Sequence, residues 1–308
     1  MADSTVTTPD RRARIAALGY DYSAQRKDVI EHCNLCGASS LVVLTHVDRY
    51  GFPAQAHACS ECGLVFLNPR MDAQAYGRFY DGVYRPLVSA FHGRLIDART
   101  IQAEQREYAI ERAGFLRPFV AGRGYQSMLD IGGSTGVVAH HFAEEFGLRG
   151  TLIDPAPLEV EQARQLGLET ITGLIEEFDF GSRRFDVVII CQTVDHLLDV
   201  SGTLHRVRDL LTPNGLLFVD IVDFRAAYLR NWSVEAAVKI DHPYYLTEST
   251  MKAYLARAGF AVLRTDYAAD HLHISYACQP GVRTEPVSGV ASAGEMLREV
   301  RFVQNAPR

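Results

Sequence analysis

The sequence predicts an α/β protein built on a doubly wound parallel sheet, preceded by a small cysteine-rich unit and a helical connector. Three observations carry this. From residue 125 to 279, short apolar runs of strand length alternate with stretches of helical periodicity, the rhythm of successive βαβ units. The run ending at Ile131 breaks into a turn of small residues that opens a helix. Upstream stand two Cys-x-x-Cys-Gly pairs. A chain of 308 residues, 47% hydrophobic, with net charge −6, is long enough for one sizeable core plus a small unit, and its acidic balance lacks the footprint of a nucleic-acid binder.

In chain order, residues 1–27 open with a polar stretch expected to be mobile, and Arg12 to Tyr22 has the pattern of a short helix. They lack the basic end, apolar run and cleavage site of an export signal. No window approaches membrane-span length, so a cytoplasmic location is expected. Residues 28–70 carry Cys33, Cys36, Cys59 and Cys62, with strand-like sequence at Leu41–Leu44 and Ala54–Ala58 between the pairs. Two residues between thiolates let each pair turn both sulfurs toward one ion, and Gly37 and Gly63 permit the tight turn beneath. The pattern is a zinc ribbon with a closed, structural four-thiolate shell, although His32 or His57 stands near enough to replace a cysteine. In residues 71–124, aromatic residues Tyr76, Phe79, Tyr80 and Tyr84 lead into a helical pattern over Leu95 to Leu116. This connector is expected to pack the ribbon on the next domain, with Tyr80, Tyr84 and Arg85 available to cover a pocket.

The domain over residues 125–279 begins with Met128-Leu-Asp-Ile-Gly-Gly-Ser-Thr-Gly136. Small residues at Gly132, Ser134 and Gly136 let the backbone turn sharply and a ligand approach closely. A dinucleotide fingerprint places glycines at positions one, three and six, whereas this series is Asp-x-Gly-x-Ser-x-Gly. Asp130 inside the turn would repel a pyrophosphate but suits the cationic aminopropyl end of S-adenosylmethionine (SAM). A second apolar strand, Thr151–Asp154, ends in an acid about 20 residues beyond the glycine turn, the place of a ribose-binding carboxylate. Between them Val137–Phe146 has helical spacing and is stopped by Gly147.

Beyond Asp154 the pattern predicts a helix at Pro157–Leu166 and strands at Glu169–Thr172, Phe185–Cys191 and Gly215–Val222, the last preceded by a turn, Thr212–Gly215, with Asn214 and Gly215 suited to positive φ. A helix at Glu248–Ala258, capped by Thr247 and closed by Gly259, leads into a hairpin of Phe260–Tyr267 and His271–Cys278. The long connection after Val222 holds Arg225, Tyr228, Arg230, Asn231, Trp232, Lys239, His242, Tyr244 and Tyr245. Its length and its aromatic and basic content suit a lid over a sugar or phosphate. Cys191 and Cys278 read as core residues. Residues 280–308 form a tail rich at first in Gly, Pro and Ser, with a helix expected at Glu295–Val303.

The motifs Leu129–Gly136, Ile153-Asp154, Phe185–Val188, Cys191-Gln-Thr-Val-Asp-His-Leu197, Leu211–Gly215 and Asp241-His-Pro-Tyr-Tyr-Leu-Thr247 together resemble class I SAM-dependent methyltransferases. Residues 33–278 as a whole are similar to members with an N-terminal zinc-binding domain, several of which act on sugars. The resemblance implies a seven-stranded Rossmann-like sheet of order 3-2-1-4-5-7-6 with an antiparallel last strand. It implies a cofactor set of Asp130, Gly132, Gly133, Ser134, Gly136, Asp154, Ile175 and Gln192. Three positions depart from the family pattern: Asp195-His196 stands where Glu-His is usual, Asn214-Gly215 where Gly-Gly is usual, and no acid follows Gly173 directly. Adenine recognition is then expected from backbone groups near Ile175, or from Glu176.

A sulfonium methyl donor is already activated, so the protein must align the acceptor and take its proton. His196, at a strand end, is the expected base, with Asp195 orienting it or holding an acceptor hydroxyl, and with His242 and Tyr244 positioning the acceptor from the lid. The alternative for the pair is a helix start, with Asp195 as cap. The function expected is methyl transfer to oxygen or carbon of a small molecule, a sugar or nucleotide-linked sugar in carbohydrate biosynthesis. An RNA methyltransferase using the ribbon and a non-catalytic SAM-binding scaffold are the alternatives.

Overall fold

A computed structural model describes residues 9–281 and 293–306. The polar residues before Pro9 and most of the Gly-, Pro- and Ser-rich stretch lie outside the described residues. The N-terminal part runs α1 (Pro9–Ala16), β1 (Lys27–Asp28), β2 (Leu41–Thr45), β3 (Ala56–Cys59), β4 (Val65–Leu67) and β5 (Arg70–Met71), and the connector is α2 (Ala73–Gly82), α3 (Tyr84–His92) and α4 (Gln102–Val120). The next domain begins β6 (Ser127–Ile131), α5 (Val137–Phe146), β7 (Arg149–Asp154), α6 (Pro157–Gln165), β8 (Glu169–Thr172), β9 (Phe185–Cys191), α7 (Val200–Leu210) and β10 (Leu211–Val222). It continues with α8 (Phe224–Asn231), β11 (Tyr244–Tyr245), α9 (Glu248–Arg257), β12 (Phe260–Tyr267) and β13 (His273–Pro280), and α10 (Ala293–Asn305) follows.

The seven-stranded sheet has the order β12-β13-β10-β9-β6-β7-β8. β13 is antiparallel to both neighbours, β10 and β12, and the remaining pairs are parallel. This is the expected order with the expected reversed strand. Alternate residues along each strand feed two cores. Met128, Leu152, Val187, Ile189, Leu216 and Phe218 pack under α4 and α5. Leu129, Ile153, Val188, Ile190, Leu217 and Val219 pack on the other face with α7 and α9, and this second core also takes in Cys33, Leu35, Cys59, Leu64 and Phe66 of the N-terminal unit. Ribbon and sheet therefore share one apolar interior.

Several boundaries differ from expectation, each for a physical reason. The connector helix starts at Gln102, because Ile96 and Ile101, which supply the apolar period, are anchors of a turn rather than of a helix face. Residues 212–215 form no turn: β10 begins at Leu211, opposite Phe185, and a bulge shifts its register before Leu216. Neither Asn214 nor Gly215 is among the positive-φ residues. Glycine is needed at 215 for space, since a Cβ there would lie 2.9 Å from Leu211 Cδ2 and 3.1 Å from the Asp186 carbonyl. The connection after Val222 is largely structured, containing α8 and then β11, which pairs antiparallel with β4 and so adds a fourth strand to the β11-β4-β3-β2 sheet of the ribbon.

Candidate active site

A cavity of about 690 Å³ opens over the C-terminal ends of β6, β7 and β9, in the size range of small-molecule sites. Asp130, Gly132, Gly133, Ser134, Asp154 and Gln192 line it, as expected. Gly132 has φ +70°, and a Cβ on it would fall 2.2 Å from the Thr193 methyl; a Cβ on Gly133 would fall 2.3 Å from Asp130 Oδ2. Asp154 accepts from the backbone N–H of Ser134 at 2.9 Å and of Ala156 at 2.8 Å, which fixes its carboxylate at the rim of the turn. Burial pushes its pKa up to about 6. Asp130 is fully buried, and neither carboxylate oxygen has a hydrogen-bond partner. Burial, then the charge of Asp154, pushes it up to about 8. A buried acid without protein partners that lines a cavity suits a cationic group, and this donor set fits SAM, with Asp130 toward the ammonium end and Asp154 toward the ribose.

Two members of the expected set lie elsewhere. Gly136 packs the start of α5, where a Cβ would meet Ala163 at 2.6 Å. Ile175 is buried in the core, and its neighbour Leu174 lines the cavity instead. Glu176 accepts from the Leu198 N–H at 3.3 Å, a contact away from the cavity lining. From above, Tyr80, Tyr84 and Arg85 line the cavity, with Gln105 and Tyr108 of α4, and Arg85 bridges to Glu159 on α6 at 2.7 Å. Cys278 is core, but Cys191 also lines the cavity. Thr193, Gln105, Tyr108 and His273 carry no local sequence signal for this role; the fold alone brings them here.

The segment after β9 forms a single 3-10 turn, Val194–His196, with no side-chain cap. The cap of α7 is Asp199, which accepts from the Gly202 N–H, so Asp195 is not a helix cap. Asp195 also does not orient His196. Its Oδ2 lies 2.8 Å from His242 Nδ1, because β11 pairing holds the residues just before it against the 3-10 turn. His196 is oriented by Tyr80, whose hydroxyl donates to the Asp241 carbonyl at 2.9 Å and lies 2.6 Å from His196 Nδ1. With the phenol proton spent on the carbonyl, Nδ1–H must donate to Tyr80, leaving the lone pair on Nε2. Burial, then the charge of His242, pulls the His196 pKa down to about 4, so the ring is a neutral acceptor. Burial pushes Asp195 up, but the charges of His242 and His196 and the hydrogen bond to His242 outweigh it and hold the carboxyl well below its usual range. The two imidazole centroids are 4.4 Å apart.

A second cavity, of about 740 Å³, lies beside the first. Asp195, Lys239, His242, Tyr244 and Tyr245 line it, with Arg49 and Arg230. The two cavities share Gln192 and His273. Tyr244 is buried beneath the ring of Phe66, under Arg70, and its hydroxyl donates to the Leu198 carbonyl at 3.1 Å. Arg225 and Tyr228, expected in the lid, instead hold Glu299 of α10, and Trp232 packs edge-on to Phe302.

At the ribbon, Cys33 and Cys62 have sulfurs 3.5 Å apart, as do Cys36 and Cys59, and all four lie within 4.8 Å of one another. A tetrahedron with zinc–sulfur bonds of about 2.3 Å has edges of about 3.8 Å, so the donor set fits a zinc ion. Neither His32 nor His57 belongs to this cluster. Among the described residues, no helix is long and apolar enough to cross a membrane.

Comparison with known proteins agrees with this geometry. The sequence pattern of a methyltransferase domain family matches residues 93–265, more than half of the chain. A ubiquinone biosynthesis O-methyltransferase of Methylocella silvestris is 34% identical over 97 residues, covering 30% of this chain and 38% of that protein. One of the same name from Azorhizobium caulinodans is 26% identical over 149 residues, covering 43% and 58%. The chain thus spans less than two thirds of either relative. Among solved structures, the mitomycin 7-O-methyltransferase superposes with TM-score 0.51 at 22% identity, over 67% of this chain and 60% of that one. The plantazolicin methyltransferase, solved with SAH, gives 0.51 at 14%, over 68% and 94%; at such identities these two show the fold alone. The matched family pattern, the strand order and the acid-bearing glycine turn converge, and the chain belongs to the methyltransferase domain family, carrying a class I SAM-dependent methyltransferase domain.

Proposed function

We propose that the protein transfers the methyl group of SAM to a hydroxyl oxygen of a small polyhydroxylated acceptor, a sugar or nucleotide-linked sugar, held in the second cavity. The observation that carries this is the junction of two cavities at Gln192 and His273, with His196 lining the first, Asp195 and His242 lining the second, and the two imidazoles in contact. When bound, SAM supplies a methyl on a sulfonium that needs no further activation. The chain's own residues do the rest. Asp130 and Asp154 hold the donor, Tyr80 keeps His196 in the Nδ1–H tautomer, and Nε2 of His196 takes the acceptor's proton. His242, fixed by Asp195, positions the acceptor, and Tyr244 supports that wall.

The relatives' names place their methyl on oxygen, which supports the same atom here. Arg230 and Lys239, which line that cavity, support an acceptor bearing phosphate. Residues 28–70 serve as a structural zinc ribbon on Cys33, Cys36, Cys59 and Cys62, and residues 71–124 as the cover of the donor cavity. Incubation with labelled SAM and a panel of free, phosphorylated and nucleotide-linked sugars, with mass detection, tests the reading. A methylated sugar is expected. Methyl transfer to a phenolic compound or to RNA, with every sugar untouched, would overturn the acceptor assignment.

A further inference from the structure

We infer that Asp195, His196 and His242 form a second metal site, one that takes a divalent transition ion such as Zn²⁺ or Co²⁺ and competes with the acceptor's proton for the same lone pairs. One nitrogen of each imidazole and one oxygen of Asp195 lie within 4.8 Å of one another. Two histidines and a carboxylate are a donor set for first-row ions. Two imidazoles bound to one ion at about 2.1 Å place their ring centroids about 5.3 Å apart on a tetrahedron and about 4.6 Å apart at adjacent corners of an octahedron; here the separation is 4.4 Å, nearer the octahedral value. The far side of the His196 ring is already held as a ligand histidine requires. Nδ1 of His196 meets the Tyr80 hydroxyl, leaving Nε2 for the ion. Nδ1 of His242 faces Asp195 Oδ2 at 2.8 Å, so an ion would enter between these two donor atoms, and the ring's Nε2 lies 3.3 Å from Asp241 Oδ2.

The buried carboxylates agree as well. Asp195 and Asp241 are buried, and each keeps one oxygen, Oδ1, with no partner. Lys239 is the opposing charge, with Nζ 3.2 Å from His242 Nε2, on the ring edge turned away from Asp195. Arg49 also lines the neighbouring cavity and bears on Lys239, so what favours an ion here is the pair of unpartnered carboxylate oxygens and not a net negative charge. An ion here occupies the lone pairs of His196 and His242, so methyl transfer stops when the site fills. That effect on turnover rests on the function proposed above; the binding does not.

The test is equilibrium dialysis of the full chain against Co²⁺ after the ribbon has been loaded with zinc, with elemental analysis and visible absorption. One Co²⁺ per chain is expected beside the ribbon zinc, with the spectrum of nitrogen and oxygen ligation and without thiolate-to-cobalt charge transfer. His242→Ala and the near-isosteric Asp195→Asn should each lose it, at least tenfold in affinity, while still binding S-adenosylhomocysteine, which shows that they are folded. Binding of no cobalt by the zinc-loaded chain, or equal binding in both pocket variants, would overturn the site. Bound cobalt with undiminished turnover would overturn the competition and leave the site standing.

Discussion

On the proposed placement of the donor, Asp130 is the residue whose state most directly reports its binding. With burial and Asp154 pushing it up to about 8, it is protonated at pH 7 when the cavity holds no cation. An ammonium group in the cavity favours the carboxylate, so binding must release a proton below pH 8, and affinity must rise with pH, by at most about tenfold per unit, until it levels above about 8. Calorimetry of S-adenosylhomocysteine in buffers of different ionisation enthalpy should show that release. Asp130→Asn should abolish the pH dependence, and a variant that keeps it would move the coupling to another group. For His196 the sign is the same and the window lies lower on the pH axis. A base works in its neutral form, and a pKa near 4 keeps it neutral through the ordinary range. Turnover should therefore hold from pH 7 down to about 5 and fall as pH drops through 4, while His196→Ala should lower turnover by roughly 10²–10⁴ with S-adenosylhomocysteine affinity nearly intact. A loss centred at 6.5 would point to a different base. Asp130, Asp154 and the cysteines were legible in the sequence because their roles depend on neighbours within one turn or one βαβ unit. The partner of Asp195 was not, since His242 reaches it through the pairing of a strand that contains only two residues.

The long α4 shows what periodicity can and cannot settle. It docks on the sheet through Ala109, Ala113, Leu116 and Val120, whereas Ile110, which the apolar period of the sequence takes in, is exposed. It also buries Arg112, a charged residue that an apolar period passes over. The guanidinium is 2.6 Å from Asp220 Oδ2 on β10, and Ser275 of β13 donates to the same oxygen at 3.0 Å. Both charged residues are nearly inaccessible. The pair thus ties the cover of the donor cavity to two strands at once, and Tyr108, one turn earlier, lines that cavity. Breaking a buried pair from one side leaves an uncompensated charge, at a cost of about 3–5 kcal/mol. Arg112→Met should lose that much stability in chemical denaturation, and Arg112→Met with Asp220→Asn should recover a substantial part. If the single variant is as stable as the parent, Asp220 finds another partner and α4 is held by its apolar face alone. The same limit explains the segment at 212–215, where Thr-Pro-Asn-Gly has the composition of a turn but the neighbouring strand holds it as a bulge; composition is local, and the pairing that decides is not.

At the scale of the whole molecule the cysteine-bearing sheet is built into the wall of the second cavity rather than appended to the fold. That sheet is completed by β11, the two residues Tyr244 and Tyr245 that follow His242, and the Leu67 N–H donates to the Pro243 carbonyl at 3.0 Å. A second seam runs beside it, with the Arg49 N–H donating to the Val238 carbonyl at 2.8 Å and the Ile240 N–H to Asp48 Oδ2 at 3.0 Å. Lys239, His242 and Tyr244 are therefore placed between strands and loops whose geometry a ribbon metal would set. The donor cavity is built from β6, β7, β9 and the connector, with no residue of the ribbon in its lining. Loss of the metal should consequently separate the two halves of the reaction. The full chain is expected to hold one zinc at the four cysteines, and Cys36→Ser, which removes one of four thiolates, should lose it and lower thermal stability. Its affinity for S-adenosylhomocysteine should stay within roughly twofold of the parent, whereas kcat/KM for the acceptor should fall at least roughly tenfold, chiefly through KM, because the wall that positions the acceptor has loosened while the donor site has not. Equal losses on both sides would mean that the shared core of Cys33, Leu35, Phe66, Leu129 and Val188 transmits the damage to the glycine turn. An unchanged acceptor KM in a zinc-free chain would mean that β11 keeps its place through Tyr244, Phe66 and the hydrogen bond to Leu198 alone.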